Sequence, residues 1–310
     1  MIKSYLRELI PVSVRTFISK VESLLLFDLY AYHVLRASLN KKLKQRQKPS
    51  KYLFVMAPAR SGSSLLGHIL YSHPEVTGYG ESHVSYTSTT DLHRLIYRTA
   101  AVLDDFEPMD YTYIVDKIVW DYPIADAIQI KFIFLLRDPA ATYTSTVHSF
   151  SGQESPAGVE QWISYYQKRL ERLKTLAMQI NEPNRCLTLR YEDLLGDTDR
   201  TLASFQTFLG TRTPFSDSYT VAPHTARLKY GDNSNAIRAG KILRKKFRKP
   251  ILNETIFTLE KQTAVYNCYA SCMTTLSQYT QLSSAIADHQ SEHESSLSAK
   301  VNVSCRQRLM

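Results

Sequence analysis

Residues 52–70 read YLFVMAPARSGSSLLGHIL. The apolar run Tyr52 to Ala57 predicts a buried strand, Pro58 to Ser64 a short loop, and Leu65, Leu66, Ile69 and Leu70 return at helical spacing. In a strand–loop–helix of this kind, small loop residues let the backbone curl. The loop N–H groups then join those of the first helical turn in a nest for phosphate. Arg60 and the hydroxyls of Ser61, Ser63 and Ser64 add charge and donors. The same residues also read as a βα turn with serine caps, and the loop alone does not choose between the two.

The rest of the chain decides the surroundings. Extended patterns are predicted at Tyr111 to Asp116, Ile130 to Leu136 and Arg185 to Arg190, with a short extended piece after His73-Pro74-Glu75. Helical patterns fall at about Asp91 to Leu103, Pro139 to Phe150, Val159 to Ile180, Thr198 to Leu209 and Leu252 to Leu276. Pro139 opens a first turn, Asp197 is placed to cap, and Gly210 to stop. Alternating strands and helices predict a three-layer α/β, P-loop-like domain with a central parallel sheet flanked by helices. Such sheets bind ligands at the C-terminal ends of their strands, where Arg60, Lys117 and Arg137 are expected.

The chain has 310 residues, 44% of them hydrophobic, enough for one full core. The expected organisation is an N-terminal amphipathic helical extension with a basic connector (1–50), a catalytic domain (51–282) and a disordered tail rich in Ser, His, Glu and Gln (283–310). Charges interrupt every apolar run short of a membrane span, and the N-terminus does not read as a signal peptide. Cys186, Cys268, Cys272 and Cys305 have no framework spacing, so a reducing compartment, the cytoplasm, is expected. The basic helix at 1–40 either packs on protein or lies on an anionic membrane surface, which would make the protein membrane-peripheral. The net charge of +9 fits an anionic partner; no nucleic-acid-binding motif accompanies it, so nucleic acid is not expected.

Against the Walker A pattern, Gly62 and Ser64 match, whereas Ala57 stands at the first glycine and Ser63 at the lysine. The loop instead resembles the 5′-phosphosulfate loop of the sulfotransferases, in the R-S-G-[ST]-[ST] branch that includes bacterial, tyrosylprotein and carbohydrate enzymes. Those enzymes use 3′-phosphoadenosine 5′-phosphosulfate (PAPS). Three further blocks carry the resemblance: Gly80-Glu81, Asp116-Lys117, and FIFLLRDPAATYTSTVHSF from Phe132 to Phe150. Ile118 and Val119 depart from the family's Thr/Ser-Pro after the lysine. The segment Leu189-Arg190-Tyr191-Glu192-Asp193-Leu194 is similar to the family's R-Y-E-D-L.

The resemblance implies roles. Arg60, Ser61, Gly62, Ser63 and Ser64 would hold the 5′-phosphosulfate, Arg137 and Ser145 the 3′-phosphate, and Tyr191 would lie near the adenine. Glu81 would be the general base, with His83 in reserve, and Lys117 and Arg60 would stabilise the transferring group. No metal is required. Arg238 to Lys241 is a looser match to a basic loop that closes over the 3′-phosphate. The acceptor is expected to be a hydroxyl or amine, a carbohydrate, glycolipid or small molecule, met by residues 82–109, 151–158 and 211–240. A P-loop kinase or NTPase using Asp116 or Asp138 with Mg²⁺, and a non-enzymatic polyanion- or membrane-binding protein, are the alternatives.

Overall fold

The computed structural model describes residues 35–46, 48–103, 106–107, 109–124, 130–150, 154–222, 234–244, 246–283 and 286. The elements are α1 (Leu35–Lys44), β1 (Lys51–Met56), α2 (Ser63–Tyr71), β2 (Val76–Gly78), α3 (Thr89–Val102), β3 (Tyr113–Ile118) and β4 (Ile130–Leu136). They continue with α4 (Pro139–Phe150), α5 (Pro156–Ile180), β5 (Cys186–Arg190), α6 (Tyr191–Gly196), α7 (Thr198–Leu209), α8 (Asn235–Arg238), α9 (Leu259–Tyr279) and β6 (Gln281–Leu282). The N-terminal extension up to residue 34 and most of the tail expected from residue 283 lie outside the described residues. None of the described helices is long and apolar enough to cross a membrane.

Among the described residues the sheet has six strands in the order β2-β3-β1-β4-β5-β6, and each pairing is parallel. Side chains alternate along β1. Phe54 and Met56 join the layer of Trp162, Tyr166, Leu170 and Leu276 from α5 and α9. Leu53 and Val55 join Leu65, Leu66 and Ile69 of α2 and Phe205 and Phe208 of α7 on the other face. Both faces are covered, which is why the strands read as unbroken apolar runs. Each fully buried Leu or Phe in these layers contributes about 1.5–3 kcal/mol.

Strand order positions the site. After β1 the chain builds β2 and β3 on one side, then crosses to β4 on the other. The direction reverses at β1, so the crevice of a doubly wound sheet opens beyond its C-terminal end, where the Pro58 to Gly62 loop lies.

Several expected boundaries shift. The strand expected at Tyr111 to Asp116 is Tyr113–Ile118, so Lys117, expected just beyond it, is a strand residue like Asp116, and both side chains are buried. The last long helix begins at Leu259, capped by the Thr258 side chain accepting from Lys261 N, and not at Leu252. The edge strands β2 and β6 are only three and two residues long, too short to show a period. Asp197 precedes α7 without a side-chain cap bond and pairs instead with Arg200 at 3.5 Å, while Gly210 ends the helix in the left-handed region at φ 66°.

Candidate active site

The loop from Pro58 to Gly62 leads into a helix without a side-chain cap. Gly62 is the N-cap residue of α2 at φ 88°, with no side-chain cap bond. The serine-capped turn is therefore not what forms, and the cap residue offers the first-turn N–H groups no side chain. Arg60 also has positive φ, 66°, a conformation that disfavours a side chain. Tyr165 of α5 fixes the loop's entry: its hydroxyl accepts from Ala59 N at 2.7 Å and donates to Val119 O at 2.9 Å.

Arg137 and Ser145 both converge on Arg60. Arg137 Nη1 donates to Arg60 O at 2.9 Å, and Arg60 Nε donates to Ser145 Oγ at 3.1 Å. The Arg137 guanidinium lies 4.7 Å over the Tyr191 ring, and that ring presses on Gly62 so closely that a Cβ there would sit 2.1 Å from Tyr191 Cδ2. Loop, strand end, α4 and α6 are thus locked into one cationic wall. Among the described residues, Ser61 Oγ and Arg137 Nε are buried donors with no hydrogen-bond partner. Buried donors of this kind beside a helix N-terminus fit an anionic group.

The second half of the site is an ion pair. Lys117 Nζ lies 3.0 Å from Glu81 Oε1 and 3.3 Å from Ser64 Oγ, with the lysine side chain 3% exposed. His83 Nε2 is 4.0 Å from Glu81 Oε2, and its Nδ1 meets Tyr122 OH at 2.9 Å. Glu81 lines the central cavity, and His83 is not among its lining residues. That cavity, about 650 Å³, also receives Arg60, Gly62, Ser63, Ser64, Lys117, Arg137, Ser145 and Tyr191. Lys241 and α8 close one side, so the loosely matched basic segment does reach the site.

Asp116 and Asp138, the carboxylates a kinase reading would place on Mg²⁺, do not line the cavity. Asp116 Oδ1 accepts from the N–H groups of Ser82 and Lys117, each at 2.9 Å, and its Oδ2 accepts from Ser82 Oγ and Tyr86 OH. Burial pushes its carboxyl up, and those bonds pull the other way. Asp138 accepts from Ala141 N at 2.9 Å and Tyr266 OH at 2.8 Å, capping α4. Its own N–H donates to Glu192 Oε1 at 2.9 Å, and burial raises the Glu192 carboxyl.

Two supports were not foreseen. The Ser82–Tyr86–Asp116 cluster, with Arg98 donating to Ser82 O, anchors the turn that carries Glu81. Arg169 of α5, 1% exposed, donates to Ala57 O at 3.1 Å, Ile118 O at 2.5 Å and Trp120 O at 3.0 Å, tying the ends of β1 and β3 together. The Arg169 signal was present in the sequence: it falls on the apolar stripe of α5 between Tyr166, Leu170 and Leu173.

Residues 129–217 match the model of the sulfotransferase family, a span holding Arg137, Ser145 and Tyr191 but not the Arg60 loop. No curated protein sequence matches the chain. Similar solved structures include the mouse sulfotransferase SULT7A1 complexed with PAP, at 15% identity over 78% of this chain and 93% of that one, TM-score 0.43. A sulfotransferase from Alicyclobacillus acidocaldarius shares 15% identity over 59% of this chain and 90% of that one, TM-score 0.38. The sulfotransferase domain from the curacin biosynthetic pathway shares 19% over 76% and 98%, TM-score 0.36.

Proposed function

We propose that the protein is a sulfotransferase that uses PAPS and transfers its sulfuryl group to a hydroxyl or amine. The observation that carries this reading is the convergence of Arg137 and Ser145 on Arg60, a second cationic site beside an uncapped phosphate loop that lacks the Walker lysine. A nucleotide with phosphate only at its 5′ end has no use for it. The sulfotransferase-family match over residues 129–217 supports the same reading.

The α2 N-terminus with Ser61, Ser63 and Ser64 would hold the 5′-phosphosulfate, Arg137 and Ser145 the 3′-phosphate, and Tyr191 the adenine side. PAPS supplies an activated sulfuryl group: the acceptor oxygen or nitrogen bonds to sulfur as the bond to the bridging phosphate oxygen breaks, and PAP leaves. Glu81 takes the acceptor's proton. Lys117, between Glu81 and Ser64, holds both the base and the growing negative charge, and Arg60 adds a second cation. Glu81 is preferred to His83 as base because it lines the cavity, whereas His83 contacts Tyr122 beyond it.

PAP release from PAPS with an acceptor tests the assignment. Glu81→Gln should keep PAP binding and lose about 10²–10⁴ in rate. Retained rate in Glu81→Gln with loss in His83→Ala would transfer the role to His83.

A further inference from the structure

A second hollow of about 400 Å³ lies between α4 and the N-terminal half of α5, and it shares Ala59 and Trp120 with the cofactor cavity. Ala59 precedes Arg60, and Trp120 lies three residues beyond Lys117, so the hollow abuts the reacting end of the site. Its walls are aromatic. Tyr143 meets Trp162 edge-on at 5.2 Å, Trp162 stacks on Tyr166 at 4.7 Å, and Tyr165 tilts against Trp120 at 5.5 Å.

Most polar groups in this lining are already engaged within the protein; Trp162 Nε1 is the one buried donor there, among the described residues, that has no partner, and Gln161 stands on the exposed rim. Tyr165 OH binds Ala59 N and Val119 O, and Thr146 Oγ1 donates to Thr142 O. Ser155 Oγ accepts from Gly158 N, and Tyr143 is hydrogen-bonded to Glu154. A sugar would bring several hydroxyls that each need a partner, and leaving them dry in such a hollow is costly. An apolar body has no such requirement and gains from every ring it covers.

We propose that this hollow is the acceptor subsite and takes an alcohol whose single hydroxyl is carried on a compact, apolar, ring-sized body, directed past Trp120 toward Glu81. The inference rests on the sulfotransfer reading and narrows its acceptor away from carbohydrate. The hollow's volume lies within the range of small-molecule sites, and so does its pattern of apolar walls with few polar groups.

The chain contains only two tryptophans, Trp120 and Trp162, and both line this hollow, so intrinsic fluorescence reports its occupancy without turnover. The full chain, with and without PAP, is titrated with decalin-2-ol and with glucose. The expected result is a saturable change with decalin-2-ol at concentrations at least tenfold below any response to glucose. Val147→Phe and, on the exposed rim, Gln161→Phe should each weaken decalin-2-ol about tenfold or more while calorimetry shows unchanged PAP affinity. A response to glucose at equal or lower concentration, no saturable response to either probe, or variants that leave the alcohol's affinity untouched would overturn the proposal. Failure of PAP to bind in the calorimetric arm would instead remove the sulfotransfer reading, while the fluorescence arm still reports what the hollow accepts.

Discussion

Replacing Arg169 by Met removes the clamp between β1 and β3 while keeping a long apolar stem in a site that is 1% exposed. Four contacts go: Ala57 O, Ile118 O, Trp120 O and Asp121 Oδ1. They do not cost equally. Ile118 O keeps the bond it accepts from Ala57 N at 3.3 Å, Trp120 O the one it accepts from Tyr122 N at 3.0 Å, and the Asp121 side chain, 37% exposed, can return to water. The loss therefore falls mainly on the Ala57 carbonyl, at about 1–3 kcal/mol if it is left dry. Removing a desolvated guanidinium offsets part of this, since burial already opposes the charge and lowers the Arg169 pKa. A net loss of about 1–2 kcal/mol is expected, and at about 2–4 °C per kcal/mol this lowers the unfolding midpoint by about 2–8 °C. Arg169→Lys should fall between, because an ammonium keeps the charge without the planar fork that meets three carbonyls. Thermal unfolding by circular dichroism gives the midpoint, and calorimetry with PAP gives the consequence for the loop that begins at Ala57. A Met variant that unfolds with the wild type and binds PAP as tightly would refute the clamp.

Other consequences are as direct. Burial raises the Asp116 carboxyl, so the native state holds its proton more tightly than the unfolded chain; the stability this provides is present below the ordinary carboxylate range and lost as pH rises toward the raised value. Asp116→Asn removes that loss, and the stability of the variant relative to wild type should rise with pH from about 4 upward in denaturant titrations; a difference independent of pH would contradict it. Gly62→Ala combines φ 88° with a Cβ 2.1 Å from the Tyr191 ring, so a strain of about 1–2 kcal/mol adds to displacement of the ring under Arg137. PAP binding should fall and Tyr191→Ala in the same chain should restore part of the stability; a Gly62→Ala protein indistinguishable from wild type would rule this packing out. Burial pushes the Cys272 thiol up to about 12, so peptide mapping after alkylation at pH 8 should find Cys272 unmodified in the native protein and modified after unfolding.

The parts of this site that were legible in the sequence are those written in local pattern. Ile130–Leu136 and Pro139–Phe150 were bounded correctly because a doubly buried strand reads as an unbroken apolar run and Pro139 marks a first turn. Arg60 and Arg137 could be placed on one sheet edge because each follows a predicted strand, whereas Ser145 was picked out by the family resemblance. Lys117 was misplaced relative to its strand: an Asp-Lys pair reads as an end of burial, yet here Asp116 is sheltered by Ser82 and Tyr86, and Lys117 by Glu81. Those partners lie 30 or more residues away in the chain, and no local period announces them. The same holds for Arg169, which meets carbonyls 49 to 112 residues distant. The aromatic hollow is built from residues on four separate segments, so its apolar character emerges only once α4 and α5 are packed.

The second phosphate site is the centre of the account, and comparing PAP with ADP tests it most directly. The two nucleotides carry the same number of phosphates, but only PAP has one at the 3′ position. Isothermal calorimetry should show PAP bound more tightly than ADP by the wild type, by about 10–150-fold if Arg137 supplies a charge-assisted bond of about 1.5–3 kcal/mol. Arg137→Ala should bring the two affinities together by weakening PAP much more than ADP. Equal affinity of the wild-type protein for PAP and ADP would contradict the assignment of Arg137 and Ser145, and with it the sulfotransferase reading of the loop at Arg60.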